Sequence, residues 1–151
     1  MKAYISGALS GVDDLEARKR LYERMAKICG QVGIDAYVPH LGGTDPATNP
    51  EVAPREVYER DMRHVDAADV VVAYVGERSL GVGAEIERAA ANGADVVLLY
   101  EADRTVSRLI RGCPAVRAAI AFRGEDDALA RLETELRCWI ASSPGAAASS
   151  A

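Results

Sequence analysis

Two patterns of apolar and polar residues alternate along this chain, one typical of strands and the other typical of helices. Short apolar runs of strand length are separated by longer segments with apolar residues near helical spacing, such as Leu21, Met25 and Ile28. The pattern predicts strands over residues 2–6, 34–38, 69–75, 95–100 and 116–122, and helices over residues 14–31, 54–67, 81–92, 106–111 and 126–141.

Five strands that alternate with helices predict an α/β fold, a doubly wound five-stranded parallel sheet of the Rossmann-like or flavodoxin-like kind, with helices on both faces. Ligands of such sheets bind beyond the carboxyl ends of the strands, near the switch in strand order. Four loops are expected at that edge, over residues 6–11, 39–54, 76–85 and 101–107. The second loop, from Pro39 to Pro54, is called the flap below, because its length and its proline, glycine and asparagine content indicate a functional segment.

The third predicted strand leads directly into a candidate anion site. Its valines and its lack of charge up to Glu77 are typical of a central strand covered on both faces. Gly81 and Gly83 follow and predict a tight turn with free helix amides, beside the hydroxyl of Ser79. Glu85 is predicted in the first helical turn, where the helix dipole favours the ionised carboxylate. The spacing alone fits a nucleophile beside a sugar-phosphate pocket and a helix-capping glutamate equally well.

Length, composition and charge narrow the class of protein. A chain of 151 residues predicts one domain over residues 1–141, and the small residues of 142–151 predict a disordered tail. The net charge of -5 argues against binding of a nucleic acid polymer, although a small phosphate remains compatible. No apolar run is long enough to span a membrane, and strand residues begin at Lys2, so no membrane association and a cytoplasmic location are expected.

Cysteine and histidine provide no pattern typical of a metal site. The three cysteines, Cys29, Cys113 and Cys138, have no short paired spacing, and His40 and His64 are scattered. We therefore expect no disulfide framework, no metal and no cofactor.

Six short motifs together resemble one known family. They are Tyr4-Ile-Ser-Gly7, Leu21-Tyr-Glu-Arg24, Glu59-Arg-Asp61, Ala68-Asp-Val-Val-Val-Ala73, Ser79-Leu-Gly-Val-Gly83 followed by Glu85, and Ser107-Arg-Leu-Ile-Arg-Gly112. In this order, from about residue 3 to about residue 122, they resemble the nucleoside 2-deoxyribosyltransferase superfamily, and within it most of all the 2'-deoxynucleoside 5'-phosphate N-hydrolases.

The resemblance implies a catalytic role for three residues. Glu85 matches the carboxylate that attacks C1' of the sugar and forms a glycosyl-enzyme ester. Asp61 matches the aspartate that hydrogen-bonds or protonates the departing base, and Tyr4 matches the tyrosine that orients the nucleophile. From composition alone, Asp61 would be read as part of a solvated helix face and Tyr4 as a core tyrosine.

The resemblance also implies a set of substrate-binding residues and a homodimer. Ser79, Gly81 and Gly83 match a phosphate-binding turn, and Ser107 matches a serine that reaches the phosphate of the neighbouring subunit. In the first loop, which includes Gly7, the mammalian hydrolases have a serine and an arginine where this chain has Ala8 and Ser10. Ser6 and Ser10 could partly replace them. His40 on the flap is a further candidate for ligand contact.

Three functions remain open at this point. The first is hydrolysis of the N-glycosidic bond of 2'-deoxynucleoside 5'-monophosphates to free base and 2-deoxyribose 5-phosphate. The second is a nucleoside 2'-deoxyribosyltransferase that exchanges bases, and the third is a non-catalytic nucleotide-binding protein. The pair of Asp61 and Glu85 argues against the third, because two carboxyl groups with different roles are what glycosidic cleavage requires.

Overall fold

The computed structural model describes residues 1–143. Its strands are β1 (Lys2–Ser6), β2 (Asp35–Tyr37), β3 (Val70–Tyr74), β4 (Asp95–Glu101) and β5 (Val116–Phe122). Its α-helices are α1 (Leu15–Gln31), α2 (Pro54–Asp66), α3 (Leu80–Ala91), α4 (Arg108–Arg111) and α5 (Glu125–Ser142), and a 3-10 turn spans Pro39–Leu41.

The five strands form one sheet in the order β2-β1-β3-β4-β5, and every neighbouring pair is parallel. The predicted doubly wound α/β fold is therefore confirmed, in its flavodoxin-like strand order. The order switches between β1 and β3, where Ser6 pairs with Ala73. A ligand site is expected just beyond these two residues, at the carboxyl ends of the strands.

Helices cover both faces of the sheet, and β3 supplies side chains to both cores. Val70 and Val72 point into the larger core, which includes buried leucines of α1 and α5. Val71 and Ala73 point to the opposite face, where they pack with residues of α2 and α3. Because alternate side chains of β3 are buried on opposite faces, the orientation of β3 in the sheet is fixed. The position of the loop that follows β3 is fixed with it.

The element ends differ from the sequence-based expectations by a few residues in several places. Helix α3 starts at Leu80, one residue earlier than predicted, and α5 continues to Ser142. Ser142 therefore belongs to the last helix and not to the predicted tail, and residues 144–151 of that tail lie outside the described residues. None of the helices within residues 1–143 is both long enough and apolar enough to cross a membrane.

Candidate active site

A cavity of about 540 Å³ opens at the carboxyl edge of the sheet, beside the switch point. Three loops predicted to meet there contribute to it, together with residues of α2 and α3. Its polar lining residues are Ser10, Thr44, Asn49, Asp61, Ser79 and Glu85, and its apolar ones include Leu9, Pro46, Pro50, Val52 and Val57. Two carboxyl groups in one largely apolar cavity are what a glycosidic-bond site requires.

The Glu85 carboxylate is held by two hydroxyl groups from β1. The Tyr4 hydroxyl donates to Oε1 at 2.7 Å, and the Ser6 hydroxyl donates to Oε2. Both donors are fully buried, so their positions are fixed by the sheet. Burial and the neighbouring Glu85 raise the pKa of Tyr4, which keeps its proton available for the carboxylate. Because both oxygens of Glu85 are bound, the carboxylate has one orientation.

Glu85 differs from the sequence-based expectation in its place and in its charge state. Since α3 starts at Leu80, Glu85 lies in the second helical turn, and the expected first-turn position is wrong. Burial raises its pKa to about 7, Ser6 and Tyr4 oppose that rise, and the charge of Asp61 adds to it. Desolvation outweighs the helix dipole, which is strong only in the first turn. The net shift of the pKa is therefore opposite to the expected preference for the ionised form.

This raised pKa predicts that Glu85→Gln stabilises the protein at alkaline pH. Between pH 4.5 and about 7, the folded state retains a proton on Glu85 that the unfolded state has lost. Wild-type stability therefore falls as pH rises through this window, whereas the neutral amide of the variant has no such dependence. We expect the variant to exceed wild type by up to about 3 kcal/mol in free energy of unfolding above pH 7, and to match it near pH 4. Urea denaturation at each pH measures the difference.

Glu87→Gln is the matched control for this measurement, because Glu87 lies on the same helix and is exposed. It is expected to leave the pH dependence of stability unchanged. An identical pH dependence for wild type and Glu85→Gln would show that Glu85 titrates normally.

Asp61 is the second carboxyl group of the cavity, and it is buried on the inner face of α2. The Thr44 hydroxyl lies 3.2 Å from its Oδ1. Burial raises the pKa of Asp61, while the hydrogen bond with Thr44 and the charge of Arg60 oppose the rise. The structure thus makes protonation of Asp61 easier than in water, as the role of a proton donor requires.

The flap forms one wall of the cavity and is fixed by a buried ion pair. Lys19 of α1 donates to Asp45 at 2.6 Å, and both side chains are almost completely buried. The hydrogen bond to Asp45 raises the pKa of Lys19. Asp45 also accepts from the Ala47 amide at 3.0 Å, which shapes the loop after it. The flap is therefore bound to α1 by a buried ion pair.

Ser79, Gly81 and Gly83 lie at the start of α3. Ser79 is the N-cap of α3, and its hydroxyl accepts from the Val82 amide at 3.3 Å. The two glycines are helical and do not form the predicted tight turn. A Cβ atom at Gly83 would meet nothing within 4 Å, and one at Gly81 would meet only Ser79 Oγ at 3.7 Å. Their missing side chains keep the space above this helix end open.

Ser107 does not line the Glu85 cavity. It lies with Gly83, Thr105 and Arg108 in a second cavity of about 540 Å³, which shares Ser79 and Val82 with the first. The fourth loop therefore contributes to the neighbouring cavity only, and the expectation of one site built from four loops is wrong within a single chain. The second cavity is bordered by two highly exposed leucines, Leu80 at 96% and Leu109 at 83%.

The first loop is shaped by packing as much as by the cavity it borders. A Cβ atom at Gly7 would lie 2.2 Å from Cζ of Tyr22, so only glycine fits there. The Tyr22 hydroxyl donates to the Ala8 carbonyl at 3.0 Å, and the Ala8 side chain is buried. Ser10 is exposed and lines the cavity together with Gly7.

His40 is placed behind the cavity wall. It is buried, its Nε2 lies 2.9 Å from Oε1 of Glu23, and its ring is tilted against Tyr22. It does not line the Glu85 cavity, whereas its neighbour Pro39 does. Within residues 1–143, no group of three or more histidine, cysteine, aspartate or glutamate side chains is arranged to hold a metal ion.

Sequence reasoning missed Thr44 and Tyr37, which surround Asp61. Tyr37 of β2 stacks between Tyr4, at 5.9 Å between ring centroids, and His64, at 3.5 Å. Its buried hydroxyl has no hydrogen-bond partner among the described residues. Nothing in the sequence pattern marked Thr44, which is one polar residue in a loop of many, and only the fold brings it to Asp61.

Two curated relatives resemble the chain over most of its length. A protein of Thermofilum pendens, provisionally named 2'-deoxynucleoside 5'-phosphate N-hydrolase 1, is 31% identical over 139 residues, which cover 90% of this chain and 95% of the relative. The human 5-hydroxymethyl-dUMP N-hydrolase is 32% identical over 114 residues, which cover 72% of this chain and 63% of the human protein. The resemblance to the 2'-deoxynucleoside 5'-phosphate N-hydrolases is thus confirmed.

Solved structures confirm the fold, and a family profile covers most of the chain. The CMP N-glycosidase BcmB of Clostridium botulinum superposes with a TM-score of 0.68 at 20% identity, over 89% of this chain and 99% of that one. The profile of the family described as nucleoside 2-deoxyribosyltransferase matches residues 3–135. The chain belongs to the nucleoside 2-deoxyribosyltransferase family.

Proposed function

We propose that this protein hydrolyses the N-glycosidic bond of 2'-deoxynucleoside 5'-monophosphates, with Glu85 as the nucleophile. One observation carries the proposal: Glu85, oriented by Tyr4 and Ser6, shares one largely apolar cavity with the buried Asp61. The names of the relatives, which are N-hydrolases and an N-glycosidase, support an enzyme of this class.

In the first step, a Glu85 oxygen bonds to C1' of the sugar while the bond from C1' to the base nitrogen breaks. The electron pair of that bond leaves with the base, which takes a proton from Asp61. The products of this step are free base, ionised Asp61 and a 2-deoxyribosyl ester of Glu85. The Tyr4 and Ser6 hydroxyls hold the carboxylate in one orientation before the attack.

In the second step, water attacks C1' and releases Glu85. The ionised Asp61 takes one proton of that water, which restores both carboxyl groups and yields 2-deoxyribose 5-phosphate. Each half-reaction thus uses Asp61 in one protonation state. The raised pKa of Asp61 favours the protonated form that the first step requires.

The phosphate of the substrate is assigned to the start of α3. Ser79 provides a hydroxyl there, Gly81 leaves the helix end open, and helix N-termini favour anions. Ser10 of the first loop lies on the same cavity and adds a second hydroxyl. Since Ala8 has a buried methyl group and no hydroxyl, we assign the contribution of the first loop to Ser10.

The reaction is tested by incubating the full chain with each of the four common deoxynucleoside 5'-monophosphates and the corresponding deoxynucleosides, followed by chromatography of the free base. Base release from monophosphates without an added acceptor base is the expected result. Turnover of unphosphorylated nucleosides only in the presence of a second base would instead establish base exchange. Nucleotide binding without release from any substrate would establish a binding protein.

We further propose that the protein acts as a homodimer in which each site receives Ser107 from the partner subunit. Ser107 lies in the second cavity, which shares Ser79 with the first, and Leu80 and Leu109 at its border are almost fully exposed. Large exposed apolar side chains around a cavity are typical of an interaction surface, and a second copy presents the same leucines in return.

Leu109→Glu is expected to separate this dimer, because it places two charges into the apolar contact and so carries a large desolvation penalty. Light scattering should report a mass near 16.1 kDa for the variant and twice that mass for wild type. Turnover of the monophosphate should fall in parallel. Leu41→Glu is the control, because Leu41 is 67% exposed on the flap, away from the second cavity. A dimeric Leu109→Glu variant would place the interface elsewhere.

A further inference from the structure

We propose that Thr44 is a positioning residue that holds the Asp61 carboxyl group in one place, whether Asp61 is protonated or ionised. This inference rests on the proposed function and adds a residue to it. Thr44 Oγ1 lies 3.2 Å from Asp61 Oδ1 and 3.0 Å from the Pro39 carbonyl oxygen. Both side chains are buried, at 4% and 9% exposure. The contact thus lies at the wall of the cavity, with most of both side chains covered by protein.

The Thr44 hydroxyl can hydrogen-bond to Asp61 in both protonation states, because it can donate as well as accept. A hydroxyl group has one hydrogen to donate and two lone pairs that accept, whereas the Pro39 carbonyl only accepts. When Asp61 is ionised, the Thr44 hydroxyl donates to Oδ1. When Asp61 is protonated, Thr44 donates to Pro39 and accepts the hydrogen of Asp61. The contact is a hydrogen bond in either case, since only the direction of donation changes.

The backbone of the flap permits this reversal. The Pro39 carbonyl also accepts from the Gly42 amide at 2.9 Å, so it stays hydrogen-bonded when Thr44 turns towards Asp61. A backbone amide in the place of Thr44 could only donate, and it would favour the ionised carboxylate alone. The proposed reaction requires Asp61 to give up a proton and then to regain one. A reversible partner keeps its carboxyl group oriented throughout.

Among residues 1–143, Thr44 is the side chain that meets Asp61 with hydrogen-bond geometry. The Tyr37 hydroxyl lies close to both and helps to lower the pKa of Asp61, but it does not reach the geometry of a hydrogen bond. The titratable or charged groups that face it are Arg60 of the same helix, Tyr37 of β2, Tyr4 of β1 and Glu85 of α3. The Arg60 guanidinium is bound to the Gly42 and Gly43 carbonyls and to Glu56. Thr44 is thus the direct partner that a substitution can remove while these groups stay in place.

The test compares Thr44→Val, which has nearly the same shape without the hydroxyl, with Thr44→Ser, which keeps the hydroxyl, in the full chain. The first readout is the pKa of Asp61 from the carboxyl signal of carbon-13-labelled aspartate, assigned with Asp61→Asn. A hydrogen bond to the charged form is the stronger of the two, so its loss should raise the pKa of Asp61 in Thr44→Val and not in Thr44→Ser. Thr48→Val, on an exposed part of the flap, should leave it unchanged.

The second readout is base release from a deoxynucleoside monophosphate. Thr44→Val should lower kcat by about tenfold to a hundredfold with a much smaller change in KM, and Thr44→Ser should restore most of the loss. If Thr44→Val does not fold, Thr44→Ala replaces it in both measurements. An unchanged pKa of Asp61 in a folded variant without the hydroxyl overturns the proposal. The titration tests the role of Thr44 even if the wild-type protein releases no base. A failure of wild type to release base would separately refute the proposed function.

Discussion

Glu85→Gln is expected to lower base release from deoxynucleoside monophosphates by on the order of 10⁴-fold or more, the scale at which enzymes lose activity when their nucleophile is removed. The amide retains the shape of the side chain, and its oxygen can accept from one of the two hydroxyls while its NH2 group donates to the other. It cannot form the ester with C1'. Single-turnover assays with excess enzyme, which also detect slow release of free base, provide the measurement.

Urea denaturation of the same variant separates loss of activity from unfolding, and the raised pKa of Glu85 predicts that the variant is the more stable protein above pH 7. Glu87→Gln, on the exposed side of the same helix, should retain full activity. Near-normal turnover in Glu85→Gln would refute Glu85 as the nucleophile. It would then favour direct attack of water on C1'.

Asp61→Asn is expected to lower kcat by about 10²- to 10⁴-fold, the usual contribution of a positioned general acid. The asparagine side chain can still accept a hydrogen bond from Thr44, so the variant removes the transferable proton and keeps the contact. The loss should be smaller for a deoxynucleotide whose base is a better leaving group, because such a base departs with less need of a proton. Steady-state rates for a series of bases measure this dependence.

Asp35→Asn is the matched control for this series, since Asp35 is exposed at the start of β2, opposite the carboxyl edge of the sheet. It should leave kcat unchanged for every base. Equal losses for good and poor leaving groups in Asp61→Asn would assign Asp61 to binding or orientation of the base and not to proton donation.

The fold could be predicted from sequence because its signals are local. The apolar runs of β1 and β3 and the periodic apolar residues of α1 are visible within a window of about a dozen residues. Gly33 adopts a φ of +84°, which favours glycine, and it follows α1 where the sequence predicted the helix to end. The 3-10 turn at Pro39–Leu41 was not predicted, because one proline permits a turn without specifying its type.

The environment of the candidate site could be predicted only in part, because it depends on contacts between distant residues. The donors to Glu85 are 81 and 79 residues away in sequence, and burial of the carboxylate follows from the packing of α3 on the sheet. The helix dipole is a local property, and on its own it gave the wrong direction for the pKa of Glu85. The position of Ser107 in a separate cavity likewise follows from the path of the fourth loop.

The ion pair between Lys19 and Asp45 has a practical consequence for redesign of this protein. Because it ties the flap to α1 inside the protein, the conformational entropy of the backbone around Asp45 is lost as the chain folds. Asn49 and Val52 meanwhile project from this fixed wall into the cavity. They offer a pair of positions for libraries that vary the base preference of the proposed hydrolase, with α1 and the two carboxyl groups left intact.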